Sequence, residues 1–491
     1  MNTTKRTLTI ATLAIALSLA LGTPSATAGT VDFRASTGIS YNFIVVKVSE
    51  GLSSRDAVGV QDSISGSLSP VAKQRLDVFP LFGVMHAGQA PTGKRDDPRG
   101  LGRYYRVVLP TDATLDTDRI NTYMEALAAR DDVDLVYPEL RPVPVESPHA
   151  AGSHQARVRD GLAKAAHPAS DLSNRQFYLY APDAPMRGYR LGGVDFHYAS
   201  RLPGGQGENV TVITMEPGGW DDRHPDLPDS ARNFGPYMID SAGTATAGIL
   251  AAVADGQGMI GIANKARLAH ASLDIENFVE LARYLNRGDV LTLSYAAAAA
   301  PIAGCRVECR LPMEYMPAWA DAIKHLTDRG VVVVENVGDS GIDLDHADFA
   351  GRFSRSHSDS GAILVGGICA KDGRRSPSSN YGSRVDSASW SCQDVLTATI
   401  GPGVIEGKEV EGYTDIHGGT VAAAAIVGGA AASASSYAKA KHLPLSGTEV
   451  RTLLSSTGTS FDNNDSAVIG THPDLKKAFV AIDDCVESMS N

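Results

Sequence analysis

The chain has 491 residues, a length that suits two to four domains or one large domain with an appendage. Hydrophobic residues make up 43% and charged residues 20%, a globular balance that excludes a collagen-like, coiled-coil or mainly disordered chain. Lys and Arg number 44 against 56 Asp and Glu, giving a formal charge of −12, and a phosphate backbone wants a basic face, so no nucleic-acid partner is expected.

The first 28 residues read as a secretory leader. Lys5 and Arg6 form a short basic start, Leu8 to Gly22 is an apolar run too short for a comfortable membrane span, and Ala26-Thr27-Ala28 is a small-x-small cleavage signal. The expected location is therefore secreted or periplasmic. Residues 41–48 and 103–109 read as strands. Asp118 to Arg130 has helical spacing, with Ile120, Tyr123, Met124 and Leu127 on one face, and Val133 to Pro138 is a further strand. Together these predict a small α+β unit over 31–140, with a solvated loop at 92–100. Residues 141–173 mix Pro, Ser, His and Ala without periodicity and read as a linker open to proteases.

From 174 to 491 the pattern alternates. Buried strands are predicted at 210–215, 289–294, 331–335 and 362–366, and helices at 243–254, 316–329 and 421–440. A last helix starts at Ser446, with Glu449 completing a capping box and Val450, Leu453 and Leu454 facing inward. Such alternation implies an α/β fold, a parallel sheet covered by helices on both faces. The stretch Val421 to Ala434 is apolar but rich in Ala and Gly, which suits a buried helix and not a membrane span. Among five cysteines, Cys305 with Cys309 and Cys369 with Cys392 are candidate pairs and Cys485 is left over; spacing does not fix the connectivity. No ligand spacing points to a metal.

Several segments, in order, carry a resemblance. Gly193-Val-Asp-Phe-His-Tyr-Ala199 is followed by Val212-Ile-Thr-Met-Glu-Pro-Gly-Gly-Trp220 with His224-Pro-Asp-Leu227, then by Ala242-Gly-Thr-Ala-Thr-Ala-Gly248 with Gly261-Ile-Ala263. Next come Val331-Val-Val-Val-Glu-Asn-Val-Gly-Asp339, Ser360-Gly-Ala-Ile-Leu-Val-Gly366, Ser379-Asn-Tyr-Gly-Ser383 and Gly419-Thr-Val-Ala-Ala-Ala-Ala425. In this order and at these spacings the chain resembles the subtilisin-like serine proteases (subtilases), in a bacterial branch with Glu in place of the usual catalytic Asp. The resemblance implies a subtilisin-like sheet, and Ala129 to Glu139 resembles the end of a subtilase propeptide, so the 31–140 unit is expected to be propeptide-like.

Subtilase chemistry is acyl transfer by a serine, a histidine that takes its proton, a carboxylate that orients the histidine, and donors that hold the oxyanion. The resemblance puts the orienting acid at Glu216, one residue further from His224 than in the branch pattern, with Asp221 and Asp222 as neighbouring candidates; the plainer reading is a loop carboxylate. The general base falls on Ala242, where the family has His-Gly-Thr, and a methyl group accepts no proton. His224 reads as a solvated loop residue and His417 as a surface or packing residue. The nucleophile falls on Val421, where the family has Gly-Thr-Ser; the neighbouring Thr420 hydroxyl points elsewhere. The oxyanion amide falls on Asp339, and an ionised carboxylate there would repel a developing oxyanion. Gly243, Gly338 and Gly419, which turns and close packing require, remain.

A frame kept while its reactive groups are replaced implies a pseudoprotease that binds a peptide or protein in the former substrate cleft, with Ser294 and Tyr295 on its rim. The rival expectation is an active serine-type endopeptidase, or a sedolisin-like acid peptidase using Glu216, Asp221 and Asp339. Sedolisins also need the serine. No cofactor is expected; calcium sites are common in the resembling family, but no run here identifies ligands.

Overall fold

The computed structural model describes residues 29–53, 56–83, 97–144, 170–461 and 468–490. The leader, most of the loop at 92–100 and most of the linker lie outside the described residues. Seven parallel strands form the central sheet, in the order Ile363–Cys369, Val332–Asn336, Val290–Leu293, Thr211–Glu216, Arg267–Ser272, Asn233–Phe234, with Ser387–Trp390 beside Ile363–Cys369 and the short Arg374–Arg375 antiparallel at that edge. That is the predicted α/β architecture. Both faces of each central strand are buried, which explains why the strands read as continuous apolar runs.

Alternate residues serve different cores, as the two-residue period requires. Ile213, Met215, Leu291, Leu293 and Val333 face one side, with the helices Asn277–Tyr284 and Pro317–Thr327. Val212, Val290, Val332 and Val334 face the other, with the helices Ser241–Ala251, Gly419–Ala440 and Leu475–Ser490. Gly419–Ala440 is long and apolar enough to cross a membrane by length and composition, yet its apolar stretch is buried inside the protein. Its Ala, Gly and Ser residues let neighbours approach closely: a Cβ on Gly429 would lie 2.7 Å from Ile262 Cβ. The capping box at Ser446 and Glu449 forms as the sequence predicts.

The N-terminal unit is a five-stranded sheet. Its order is Thr30–Val31, Val133–Pro138, Phe43–Val48, Tyr104–Val108, Val78–Pro80, and the helices Ala57–Ala72 and Thr117–Ala128 pack on it. Ala57–Ala72 is absent from the sequence reading. It carries Gly66 and four serines, and Pro70 stands in its last turn, so its apolar stripe of Val60, Ile64 and Leu68 is thin.

This unit sits on the helix Pro317–Thr327. Lys47 Nζ and Tyr104 Oη both reach Asp321 Oδ2, at 2.6 and 2.7 Å, and Ala318 N donates to Tyr137 Oη at 3.2 Å. Arg352 pairs with Asp32 at 2.7 Å, and Phe33 packs against Tyr137 and Tyr315. The apolar cores of the unit and of this face of the sheet are continuous.

Two disulfides join Cys305 to Cys309 and Cys369 to Cys392, the two candidate pairs; Cys485 is free and exposed. A long hairpin, Val395–Ile405 with Lys408–His417, leads into the buried helix and was not anticipated. Residues 142–144 correct the linker reading: they form a strand pairing with Tyr295–Ala299, whose other edge takes Cys309–Pro312.

Candidate functional site

The carboxyl ends of parallel strands and the amino ends of the following helices meet at one edge of the sheet, where α/β proteins place their sites. Glu216 is the last residue of the strand Thr211–Glu216 and is 1% exposed. It is a buried strand residue, contrary to the loop carboxylate reading. Burial pushes its carboxyl up to about 8, while the hydroxyls of Thr246 and Ser294 act in the opposite sense and the charge of Asp240 adds to the rise. Neither Glu216 oxygen has a hydrogen-bond partner among the described residues.

Ala242 lies in the first turn of the helix Ser241–Ala251, half-buried. Asp240 caps this helix by accepting from Ala242 N at 2.6 Å. Gly243 is required here, since a Cβ would fall 2.5 Å from Gly218 O. Asp240 and Thr246 are the residues that sequence reasoning missed. Asp two places before the first small-residue turn is a legible N-cap signal; Thr246 had no signal beyond lying four residues after Ala242.

Val421 stands in the first turn of Gly419–Ala440, 6% exposed, and packs on Ala296. Thr420 is fully buried, and its hydroxyl donates to Asp339 Oδ2 at 3.3 Å. Asp339 also accepts from Thr420 N at 3.0 Å. The cap residue Gly418 has no side chain to close that helix end, so Asp339 closes it from another element. Burial pushes the Asp339 carboxyl up to about 6 against these hydrogen bonds. Gly338, at φ +86°, turns the chain into this position, where a Cβ would lie 2.2 Å from Arg310 O.

The remaining candidates are placed as follows. Asp221 spends its carboxylate on Arg223 Nε at 2.7 Å, and Asp240 is the charged neighbour that Glu216 feels. His224 is 5% exposed with Nε2 2.8 Å from Gly412 O, a buried residue where a solvated one was expected. Burial pushes His417 down to about 4, as for a packing histidine. Ser294 is 3% exposed and sits below the surface, inside the expected rim, while Tyr295 is half-buried and pairs with Pro144. Among the described residues no three His, Cys, Asp or Glu gather to hold a metal.

Fold and site together define a protein of the subtilisin-like α/β class. Residues 236–472 match the model of the Subtilase family; Ala242, Ser294, Asp339 and Val421 fall inside the match and Glu216 before it. No curated protein matches the chain. Among solved structures it is similar to fervidolysin from Fervidobacterium pennivorans, a keratinolytic enzyme related to subtilisin, with TM-score 0.58 and 17% identity over 93% of this chain. The chain spans 64% of fervidolysin's length, and at this identity the likeness shows the fold alone. It is also similar to the proteases of Pseudoalteromonas arctica (TM-score 0.47, 18% identity, 65% of this chain and 100% of that one) and to a lanthipeptide protease (TM-score 0.47, 18% identity, 63% and 96%). Neither of the last two adds to the argument.

Proposed function

We propose that this is an exported, catalytically inactive relative of the subtilases that acts by binding a peptide or protein, with its N-terminal unit in the place of a propeptide. One observation carries the reading: Ala242 and Val421 present a methyl and an isopropyl group at the two helix starts where proton transfer and nucleophilic attack would occur. The adjacent hydroxyl, on Thr420, is buried and engaged with Asp339. Asp339 accepts a backbone N–H where the chemistry wants a donor aimed at an oxyanion. Glu216 and Asp339 are both raised in pKa, as an acid peptidase would want, but that chemistry meets the same lack of a hydroxyl.

Binding by strand addition has its own support. Residues 142–144 run antiparallel along Tyr295–Ala297, with Val143 opposite Ala296. An extended segment thus already occupies that edge, and a partner peptide would compete with it. Export rests on the leader signals of residues 1–28 and fits the two disulfides.

An inactive chain cannot cut itself. Expressed alone in a protease-deficient host, it should keep the N-terminal unit covalently attached in an intact-mass measurement and leave casein whole from acid to alkaline pH. A clean self-generated cut between 141 and 173, or casein hydrolysis that Glu216→Gln abolishes, would overturn the proposal.

A further inference from the structure

Two prolines flank one valine in the segment that lies along Tyr295–Ala299, and the ladder explains why they fit. Pro142, Val143 and Pro144 stand opposite Ala297, Ala296 and Tyr295. Ala298 N donates to Arg141 O at 2.9 Å, so residues 141 and 298 form a hydrogen-bonded pair. Such pairs alternate along an antiparallel ladder, which makes 143 with 296 the next one and leaves 142 and 144 at the positions between. An N–H at these two positions would point away from Tyr295–Ala299, and proline has none to give. The segment is the edge strand of its sheet, so no ladder on its far side asks for that donor.

The side chains suit the same spacing. Ala296 to Ala299 are buried and offer only methyl groups. Cross-strand neighbours come closest at the positions without hydrogen bonds. There Pro142 stands opposite the small Ala297, and Pro144 opposite Tyr295, an aromatic partner of the kind that proline-rich segments use. Val143 is 3% exposed and stands opposite Ala296, which packs on Val421. Proline also arrives with φ already near about −65°, so a segment that alternates it loses less freedom on docking.

We infer that the peptide this edge takes is an extended segment with proline at every second position and an aliphatic residue between, and that residues 142–144 hold the place such a partner would occupy. This rests on the proposed reading of the cleft as a peptide-binding edge and narrows it to one class of peptide. No bond is made or broken.

The test uses short labelled peptides, read by fluorescence anisotropy. One is built on Arg-Pro-Val-Pro, the sequence of residues 141–144. A second carries its isomer Arg-Val-Pro-Pro, and a third carries Arg-Ala-Val-Ala. The isomer has adjacent prolines, one of which must fall on a hydrogen-bonded position when all its residues lie on the edge. The resident segment competes from its tether, so the peptides are offered to the full-length Val143→Pro chain as well as to wild type. In that variant the hydrogen-bonded position of the resident has lost its N–H. It should bind the alternating peptide saturably and at least about tenfold tighter than the isomer, with the alanine peptide between them. Wild type should bind the alternating peptide at least about tenfold more weakly than the variant does. Equal affinities for the alternating peptide and its isomer, or a tighter grip on the alanine peptide, overturn the inference and leave strand binding standing. Equal binding by the two chains would put the peptide elsewhere and also overturn it. No saturable binding of any peptide overturns both the inference and the reading beneath it. Hydrogen exchange keeps the test open should Val143→Pro fold poorly. Pro142→Ala with Pro144→Ala should speed exchange of the Ala296 and Ala298 amides about threefold, and unchanged exchange overturns the inference. Serine-directed labelling would break the proposed inactivity and leave these comparisons standing.

Discussion

Arg384 and Glu216 are equally deep in the same molecule and are treated differently by it. Arg384 is fully buried, and its guanidinium donates to Asp386 Oδ2 at 2.6 Å and to Glu314 Oε2 at 3.1 Å. Arg355 and Arg451 extend the network to Asp386 and Asp359, and Arg451 holds the Asp359 carboxyl far below the usual range. Nearby Glu335 is also fully buried; burial and the charge of Glu314 push its carboxyl well above the usual range. Glu216 has no cation beside it, and only the hydroxyls of Thr246 and Ser294 favour its charged form. The first cluster belongs to the frame, where each charge is answered. The second lies by the first turn of the helix Ser241–Ala251, where Ala242 presents only a methyl group.

Breaking the first cluster should cost most. Arg384→Ala leaves buried acids without their cation and should destabilise the fold by about 3–5 kcal/mol in denaturant unfolding. A loss below about 1 kcal/mol would mean that the acids simply take up protons.

The second cluster should respond the other way. The folded chain keeps the Glu216 proton to about pH 8, whereas an unfolded glutamate releases it near 4.5. The folded state therefore binds more protons between these values, so stability falls as pH rises through that window and levels off above it. Glu216→Gln removes the dependence. It should match wild type in stability at the acid end and exceed it on the alkaline side by up to about 5 kcal/mol, at about 1.4 kcal/mol per pH unit of the window. A variant less stable than wild type at alkaline pH would show that Glu216 is well partnered.

Asp339 is intermediate, since its charge is partly answered by a helix end. Asp339→Ala removes the acceptor for Thr420 N and should cost about 1 kcal/mol, read as a lowered melting temperature, while Asp339→Asn keeps an acceptor and should cost less. The smallest effect should come from the exposed pair Arg34–Glu125, whose side chains are more than half exposed; a double-mutant cycle there should give less than about 1 kcal/mol.

Much of the frame was legible because strands such as Val290–Leu293 and Val332–Asn336 are buried on both faces and therefore read as mainly apolar runs, whereas Arg267–Ser272, with its Ala, His and Ser, did not. The helix at 446 was legible from its capping box. The helix Ala57–Ala72 was not, because serines, Gly66 and Pro70 dilute its stripe below recognition. The strand at 142–144 was hidden by its two prolines. Proline is tolerated there because this is an edge strand, with Val143 as the residue between them opposite Ala296. At the site, the positions of Ala242, Asp339 and Val421 could be read only from the resemblance to the subtilase motifs around them. The loneliness of Glu216 could not, since it depends on which side chains three other elements bring near it. His224 misled for the same reason: a polar loop sequence says nothing of the hairpin residue Gly412 that covers its ring.

The central claim is that this frame carries no reactive hydroxyl–imidazole pair. Treating the folded, full-length protein with a fluorophosphonate probe and measuring its intact mass tests this most directly. The account predicts an unchanged mass, before and after heat unfolding. A single stoichiometric adduct on the folded protein that fails to form on the unfolded one would contradict it.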